Sequence, residues 1–114
     1  MAGLEDLPEV QRWFAGAGYA SAPVGERRRL VEELEAFCAH AGKQPAELIR
    51  SCLLTTTDGN TKISIKGRRA MQLLIDGYIA DRGLSGHTAV AAGNRIRGFL
   101  IHNGVFIQGR AAIG

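Results

Sequence analysis

Apolar residues recur every three or four positions in two long stretches of the chain, and this spacing predicts amphipathic helices. The longer stretch covers about residues 24–41 and ends at Gly42, a residue that tolerates the left-handed conformation after a helix. The other extends from Ser85 to Gly104, and the Ser85 hydroxyl can accept a hydrogen bond from a backbone N–H of the first turn. One side of this last helix collects seven residues that need a partner surface: Ala89, Ala92, Gly93, Ile96, Phe99, Leu100 and Asn103.

Three shorter segments complete the predicted set of helices. The first covers about residues 8–15 and is followed by a glycine-rich turn, the second covers about residues 45–53, and the third covers about residues 67–82 and is closed by Gly83. The pattern therefore predicts an all-α fold, a compact bundle of about five helices. We expect one domain over residues 1–114, with an N-terminal helix and turn within the first twenty residues.

The connection between the third and fourth predicted helices, residues 55–66, is long and rich in threonine. Asp58-Gly59 marks a turn within it. After the turn, Thr61 and Ile63 alternate with Lys62 and Ser64, as in a strand of a small hairpin. A long loop is the simpler interpretation, and we expect a loop here, with a small hairpin as the alternative.

Composition fits an ordinary globular domain with a single core. Of the 114 residues, 46% are hydrophobic and 22% are charged. The two cysteines, Cys38 and Cys52, lie in helical patterns rather than in a spaced framework, so we expect free, buried thiols in a reducing compartment. The first twenty residues include Glu5, Asp6 and Glu9 and lack the apolar run of a secretory signal, and no segment approaches the length of a membrane span. We therefore expect a cytoplasmic protein that does not bind a membrane.

The charge balance permits binding to nucleic acid. Fourteen Lys and Arg residues oppose eleven Asp and Glu residues, which gives a net charge of +3 and a pI near 9.2. The basic residues form three clusters on three predicted helices, two of them at helix starts, where the helix dipole disfavours positive charge. These clusters are residues 27–29, the group Lys66, Arg68 and Arg69, and the pair Arg95 and Arg97. If they face one way, they form a basic concavity that contacts the phosphates of a duplex.

A purely structural role for the first cluster is the alternative. Arg28 with Glu32, and Arg29 with Glu33, stand four positions apart and can form ion pairs along one helix.

The outer face of the last predicted helix carries small or hydrogen-bonding residues: His87, Ala91, Asn94 and Gly98. Arg95 and Arg97 flank this face on its two sides. A DNA backbone can approach such a surface closely, and Asn94 can pair with an adenine edge while either arginine pairs with a guanine edge. The alternative is a solvated face with two surface arginines.

No catalytic, metal-binding or nucleotide-binding pattern assembles along the chain. Cys38 and His40 are two positions apart on a helix and face nearly opposite sides, and His87 and His102 do not complete a zinc spacing. The glycines match no phosphate-binding loop. We therefore expect that the chain is not an enzyme and uses no cofactor.

Three segments, taken in order, resemble the core-binding domain of tyrosine recombinases, the N-terminal, SAM-like domain of the phage-integrase family. They are residues 28–43, reading Arg-Arg-Leu-Val-Glu-Glu-Leu-Glu-Ala-Phe-Cys-Ala-His-Ala-Gly-Lys, residues 45–49, reading Pro-Ala-Glu-Leu-Ile, and residues 78–104, with their Gly-Leu-Ser, Thr88 and Arg-Ile-Arg-Gly-Phe sequences. The chain departs from the family at Glu26, where a small hydroxyl residue is usual, and at Ala92, where an aromatic residue is common.

The resemblance implies an all-helical, non-catalytic domain that clamps double-stranded DNA at a recombination site. In the family, a separate C-terminal domain cuts and rejoins strands with a tyrosine nucleophile, so the implied partners are DNA, such a catalytic domain and other recombinase protomers. The chain is then either a fragment of a tyrosine recombinase or a stand-alone relative. The candidate DNA contacts are nine residues: Arg28, Arg29, Lys43, Arg68, Arg69, Thr88, Asn94, Arg95 and Arg97.

Two other interpretations of the sequence predict different surfaces. A helical protein-interaction module without DNA contact would expose Trp13, Phe106 and Ile107 as an apolar docking patch. A helix-turn-helix repressor would use residues 84–101 as its recognition helix.

Overall fold

Five α-helices and one short β-hairpin make up the fold, as a computed structural model describes it for residues 4–105 and 107. A short 3-10 helix, Leu4–Asp6, comes first. The elements that follow are α1 (Pro8–Ala17), α2 (Val24–Ala41), α3 (Pro45–Ser51), β1 (Leu53–Thr55), β2 (Thr61–Ile63), α4 (Ile65–Asp81) and α5 (Gly86–Ile101). The predicted mostly helical bundle is confirmed, and none of the described helices is both long and apolar enough to cross a bilayer.

Helix α5 lies at the centre of the bundle and contacts α1, α2 and α4. Its predicted apolar side is confirmed, since Ala92, Gly93, Ile96, Phe99 and Leu100 are all buried. Ile96, Phe99 and Leu100 join one hydrophobic core with residues from the other four helices, including Trp13, Leu34, Leu48 and Ile75. Packing of this apolar side in the core therefore turns the opposite side of α5 towards the protein surface.

The ends of the long helices follow the predicted glycines closely. Gly42 caps α2 in the left-handed conformation, with φ of 68°. Helix α5 ends at Ile101, earlier than predicted, and Gly104 adopts the left-handed conformation three residues later. Ser85 is the N-cap residue of α5, as predicted, but the predicted hydrogen bond is wrong, because its hydroxyl accepts none from the first turn. Gly86, the first residue of α5, has a positive φ of 59°, a conformation that favours glycine.

The loop expected for residues 55–66 is wrong, and the alternative, a small hairpin, is confirmed. β1 and β2 are antiparallel, with Leu53 opposite Ile63, Leu54 opposite Lys62 and Thr55 opposite Thr61. Leu53, predicted at the end of the preceding helix, instead begins β1 and packs against the core. The tight turn between the strands closes because the backbone N–H of Thr56 donates to the carbonyl of Asn60, at 2.7 Å.

Helix α4 begins two residues before the predicted Gly67. The Ser64 hydroxyl caps it by accepting a hydrogen bond from the Gly67 N–H, at 2.9 Å. Gly67 itself lies directly against the end of α3, where a Cβ would come within 2.2 Å of the Ser51 carbonyl oxygen. The start of α4, the hairpin and the end of α3 are therefore joined closely through the backbone.

Candidate nucleic-acid interface

The outward face of α5 is open over residues 86–94, before the point where Gly98 packs against α1. His87, Thr88 and Asn94 are exposed there, and Ala91 is half-buried. Gly98, predicted to lie on the same open face, packs against α1, where a Cβ at Gly98 would be 3.6 Å from Trp13 Nε1. The surface that α5 offers to a large partner is therefore shorter than the sequence suggested.

Arg95 is half-buried and forms an ion pair with a carboxylate of α2. Its Nε and Nη2 atoms donate to Glu33 Oε1 at 3.0 and 2.7 Å, and the hydroxyl of Tyr78, from α4, donates to Glu33 Oε2. The side chains of Arg95 and Glu33 are 35% and 13% exposed. One carboxylate thus joins α2, α4 and α5, and its charge neutralises Arg95.

The pKa shifts of Glu33 and Tyr78 are those expected for an ionised carboxylate that accepts hydrogen bonds from two donors. Burial alone raises the pKa of Glu33, but the hydrogen bonds from Tyr78 and Arg95 outweigh burial and leave the pKa below its ordinary value. The pKa of Tyr78 is raised, first by burial and then by its hydrogen bond to Glu33. Glu33 is therefore ionised and Tyr78 is protonated at neutral pH, which keeps the phenol as a donor.

Arg97, on the other flank of α5, folds back along its own helix. Its Nη2 atom donates to Asn94 Oδ1 at 2.9 Å, and the guanidinium lies over Gly93, where a Cβ would be 2.9 Å from Nη2. Burial lowers the pKa of Arg97, and the negative charge of Asp76 on α4 opposes this shift. Arg97 therefore orients the Asn94 side chain, which remains exposed.

The two arginines predicted on α2 point to different sides of that helix. Arg29 lines a cleft of about 450 Å³ together with Arg82 and Arg95, and Glu26, Glu32 and Glu33 line the same cleft. Arg28 lines a separate cleft beside Leu4, Glu5 and Glu35. Within the described part of the chain, neither predicted ion pair inside α2 forms. Glu33 binds Arg95 instead of Arg29.

The remaining basic candidates lie apart from these two. Lys43 lines a third cleft with Leu4 and Glu35. Arg68 and Arg69 line a fourth cleft, beside Ile107. The nine candidate residues therefore do not share one concave surface: Arg29 and Arg95 line one cleft, and Arg68 and Arg69 line another.

The apolar docking patch of the alternative interpretation does not form as predicted. Trp13 is 1% exposed and Ile107 is 4% exposed, since both belong to the core. Trp13 packs edge-on against Phe99 of α5, with ring centroids 5.7 Å apart. Phe106, the third residue of the patch, lies outside the described residues.

The cysteines and histidines form no reactive group in the described structure. Both cysteines are free thiols, Cys52 buried and Cys38 half-buried, and burial raises the pKa of each, that of Cys38 to about 11. Among residues 4–105 and 107, no three His, Cys, Asp or Glu side chains are grouped so that they could hold a metal ion. His40 is exposed and its ring packs against Tyr78.

Sequence analysis missed Glu33, Tyr78 and Asn103 as residues that position the site. Glu33 and Arg95 are 62 positions apart, so nothing in local spacing indicates their contact. Asn103 donates to the carbonyls of Glu9 and Phe99, both at 2.9 Å, and accepts from Arg12 at 2.8 Å, which ties the end of α5 to α1. A polar residue on a predicted apolar side was the available signal for this second contact.

Comparison with known proteins gives no relative. No model of a known protein family, no curated protein and no solved structure matches the chain.

Proposed function

We propose that this chain is a non-catalytic DNA-binding domain, of the kind that clamps recombination-site DNA in tyrosine recombinases. The observation that carries the proposal is the open face of α5 over residues 86–94, where Thr88 and Asn94 are exposed on a helix whose apolar side is fixed by the core. The segments that resemble the recombinase core-binding domain include this helix. Hydrogen-bonding side chains at the start of a rigid helix suit the major groove of a duplex.

Five of the seven basic candidates divide into two roles under this proposal. Arg28, Arg29 and Arg69 are exposed and supply phosphate contacts, which give affinity without sequence information. Arg95 and Arg97 position the helix and the Asn94 amide, because their guanidinium groups are already bonded to Glu33 and Asn94. Double-stranded DNA is the main partner, and a C-terminal catalytic domain or other recombinase protomers are further ones. A cytoplasmic location fits both this role and the two free thiols.

A salt series of duplex binding tests the proposal directly. The wild type should bind a fluorescently labelled duplex in an anisotropy assay, and its affinity should fall as salt rises. Replacing both exposed contacts, Thr88→Ala with Asn94→Ala, should weaken binding to a preferred duplex by roughly 5- to 150-fold, the range expected when one good base contact is lost.

The matched control is Ser21→Ala, which removes an exposed hydroxyl from the turn before α2 and should leave binding unchanged. Circular dichroism should report the same helical content for all variants. Failure of the wild type to bind any duplex at low salt would overturn the proposal.

A helix-turn-helix repressor is a second candidate, favoured by the short connection between α4 and α5. Four residues, 82–85, join the two helices, and Gly83 in this turn has a positive φ of 67°. A repressor of this kind binds as a dimer to two half-sites about one helical turn apart, so footprinting on a bound duplex separates it from the single protected site of a clamp.

A further inference from the structure

Positive charge is concentrated at one place in the chain, from the last turn of α3 to the first turns of α4. Residues 50–69 contain five of the 14 Lys and Arg residues and one of the 11 Asp and Glu residues. This segment therefore carries a charge of +4, while the rest of the chain carries −1. The hairpin lies at the middle of the segment.

The alternation of the strands separates an inner from an outer face of the hairpin. Leu53 and Ile63, which are paired, are both half-buried, and Leu53 packs against the core. Leu54 and Lys62, the next pair, are exposed, Leu54 at 46%. Lys62 therefore belongs to the face turned away from the helices.

The one acidic residue of the segment is occupied within the turn. Asp58 accepts hydrogen bonds from the hydroxyl of Thr56 and from the side-chain amide of Asn60. These bonds, that of Thr56 first, lower the pKa of Asp58. The carboxylate thus stabilises the turn through these hydrogen bonds. The other polar side chains at the tip are hydroxyls and amides of Thr and Asn residues.

The basic surface continues from the hairpin onto α4. Lys66 and Arg69 are exposed and three positions apart on one side of this helix, and its first turn holds no acidic residue. The Ser64 N–H donates to the Cys52 carbonyl at 2.8 Å, and the Gly67 contact with α3 fixes the helix start. The hairpin and the first turn of α4 thus form one rigid unit with lysines on its exterior.

From these observations we infer that the hairpin and the start of α4 form a second DNA-binding surface, in which Lys62 and Lys66 contact the phosphates of a duplex. This inference rests on the proposed function and extends it beyond α5. Threonine and asparagine side chains at the tip suit phosphate and sugar oxygens. A membrane-binding hairpin would instead carry large apolar side chains at its tip.

The test compares the wild type with a variant that neutralises both lysines, Lys62→Gln with Lys66→Gln. Loss of two phosphate contacts should reduce the magnitude of the slope of log affinity against log salt by about 2. At 0.1 M salt, this change corresponds to a loss of affinity of roughly 10- to 100-fold, equal for all duplex sequences.

Two control variants separate this surface from net charge alone. Lys62→Arg with Lys66→Arg should keep the wild-type slope, since the charge is kept. Asp6→Asn changes the net charge by one at an exposed residue of the 3-10 helix and should leave the slope unchanged. Equal thermal unfolding of the lysine variant and the wild type establishes that the fold is intact.

The other outcomes overturn the inference, and they distinguish failure of the second surface from failure of the proposed function. If the wild type binds DNA and the lysine variant binds with the same affinity and slope, the second surface is wrong while the proposed function stands. If the wild type binds no duplex, both fail. If the lysines govern binding to anionic phospholipid vesicles and not to DNA, the surface is a membrane contact.

Discussion

At the scale of single residues, Glu33 has the most consequential contacts. It accepts hydrogen bonds from Arg95 and Tyr78, which come from two other helices. Removing a half-buried carboxylate leaves both donors without their partner, and an unpaired buried polar group is costly. The stability of the bundle should therefore depend on this one side chain.

We expect Glu33→Gln to lower the free energy of unfolding by about 1–3 kcal/mol. Urea unfolding at pH 7 measures this change. Glu32→Gln, an exposed neighbour on the same helix, is the matched control and should change stability by less than about 0.5 kcal/mol. Similar stabilities for the two variants would contradict the structural role of Glu33.

The same carboxylate predicts a pH dependence of stability. The folded pKa of Glu33 lies below its ordinary value of 4.5, so its stabilising contribution is present above that pH and is lost as pH falls through the folded pKa. Urea midpoints measured from pH 7 downwards should therefore fall less steeply below pH 4.5 in Glu33→Gln than in the wild type. Parallel curves for the two proteins would contradict this assignment.

At the scale of secondary-structure elements, the contact between α3 and α4 depends on Gly67. A Cβ there would meet the Ser51 carbonyl oxygen at 2.2 Å, and backbone atoms cannot move aside as a side chain can. In the same helix, a Cβ at Gly77 would meet only the ring of His40, at 3.4 Å. A methyl side chain therefore fits at position 77 but clashes with the backbone at position 67.

We expect Gly67→Ala to destabilise the protein by about 1–3 kcal/mol, as overpacking does. Gly77→Ala, its control, should be neutral or stabilise α4 by up to about 1 kcal/mol, because alanine is the better helix former. Thermal unfolding of both variants provides the comparison. Equal effects would mean that helix propensity alone acts at these positions.

The spacing of apolar residues along the chain predicted the helices. It failed where contacts between residues far apart in the sequence determine the structure. The spacing of apolar residues was sufficient for α2 and α5, and Gly42 was sufficient for the end of α2. The hairpin was not predictable in the same way, because its short strands are stabilised by the contact of Leu53 with the core and by the closed turn. For the candidate site, the sequence pattern correctly indicated the exposure of His87 and Asn94, but it gave no sign that Glu33 would neutralise Arg95.

At the scale of the whole molecule, one core should make unfolding a single event. Trp13 packs against Phe14, Phe99 and Tyr19, and α1 contacts α5 directly. Because α5 also contacts α2 and α4, loss of the α1 contact exposes the core that all five helices share. Local melting of α1 alone is therefore unfavourable.

Fluorescence of the single tryptophan and helical circular dichroism should report the same denaturant midpoint. Trp13→Phe should abolish the fluorescence transition and leave the circular dichroism transition in place. A tryptophan transition at lower denaturant than the helical one would mean that α1 separates first. Addition of duplex should leave the emission maximum unchanged, because Trp13 is 1% exposed.

The hydrogen bond from the Ser64 N–H to the Cys52 carbonyl makes the tip of the hairpin, residues 56–60, replaceable, while Leu53 stays packed against the core. The chain leaves the helical bundle and returns to it at nearly the same point, and this bond closes the gap at 2.8 Å. Lengthening, shortening or exchanging the hairpin tip therefore does not alter the distance that α3 and α4 must span. A binding specificity could be changed at this position by grafting another hairpin, without redesign of the five helices.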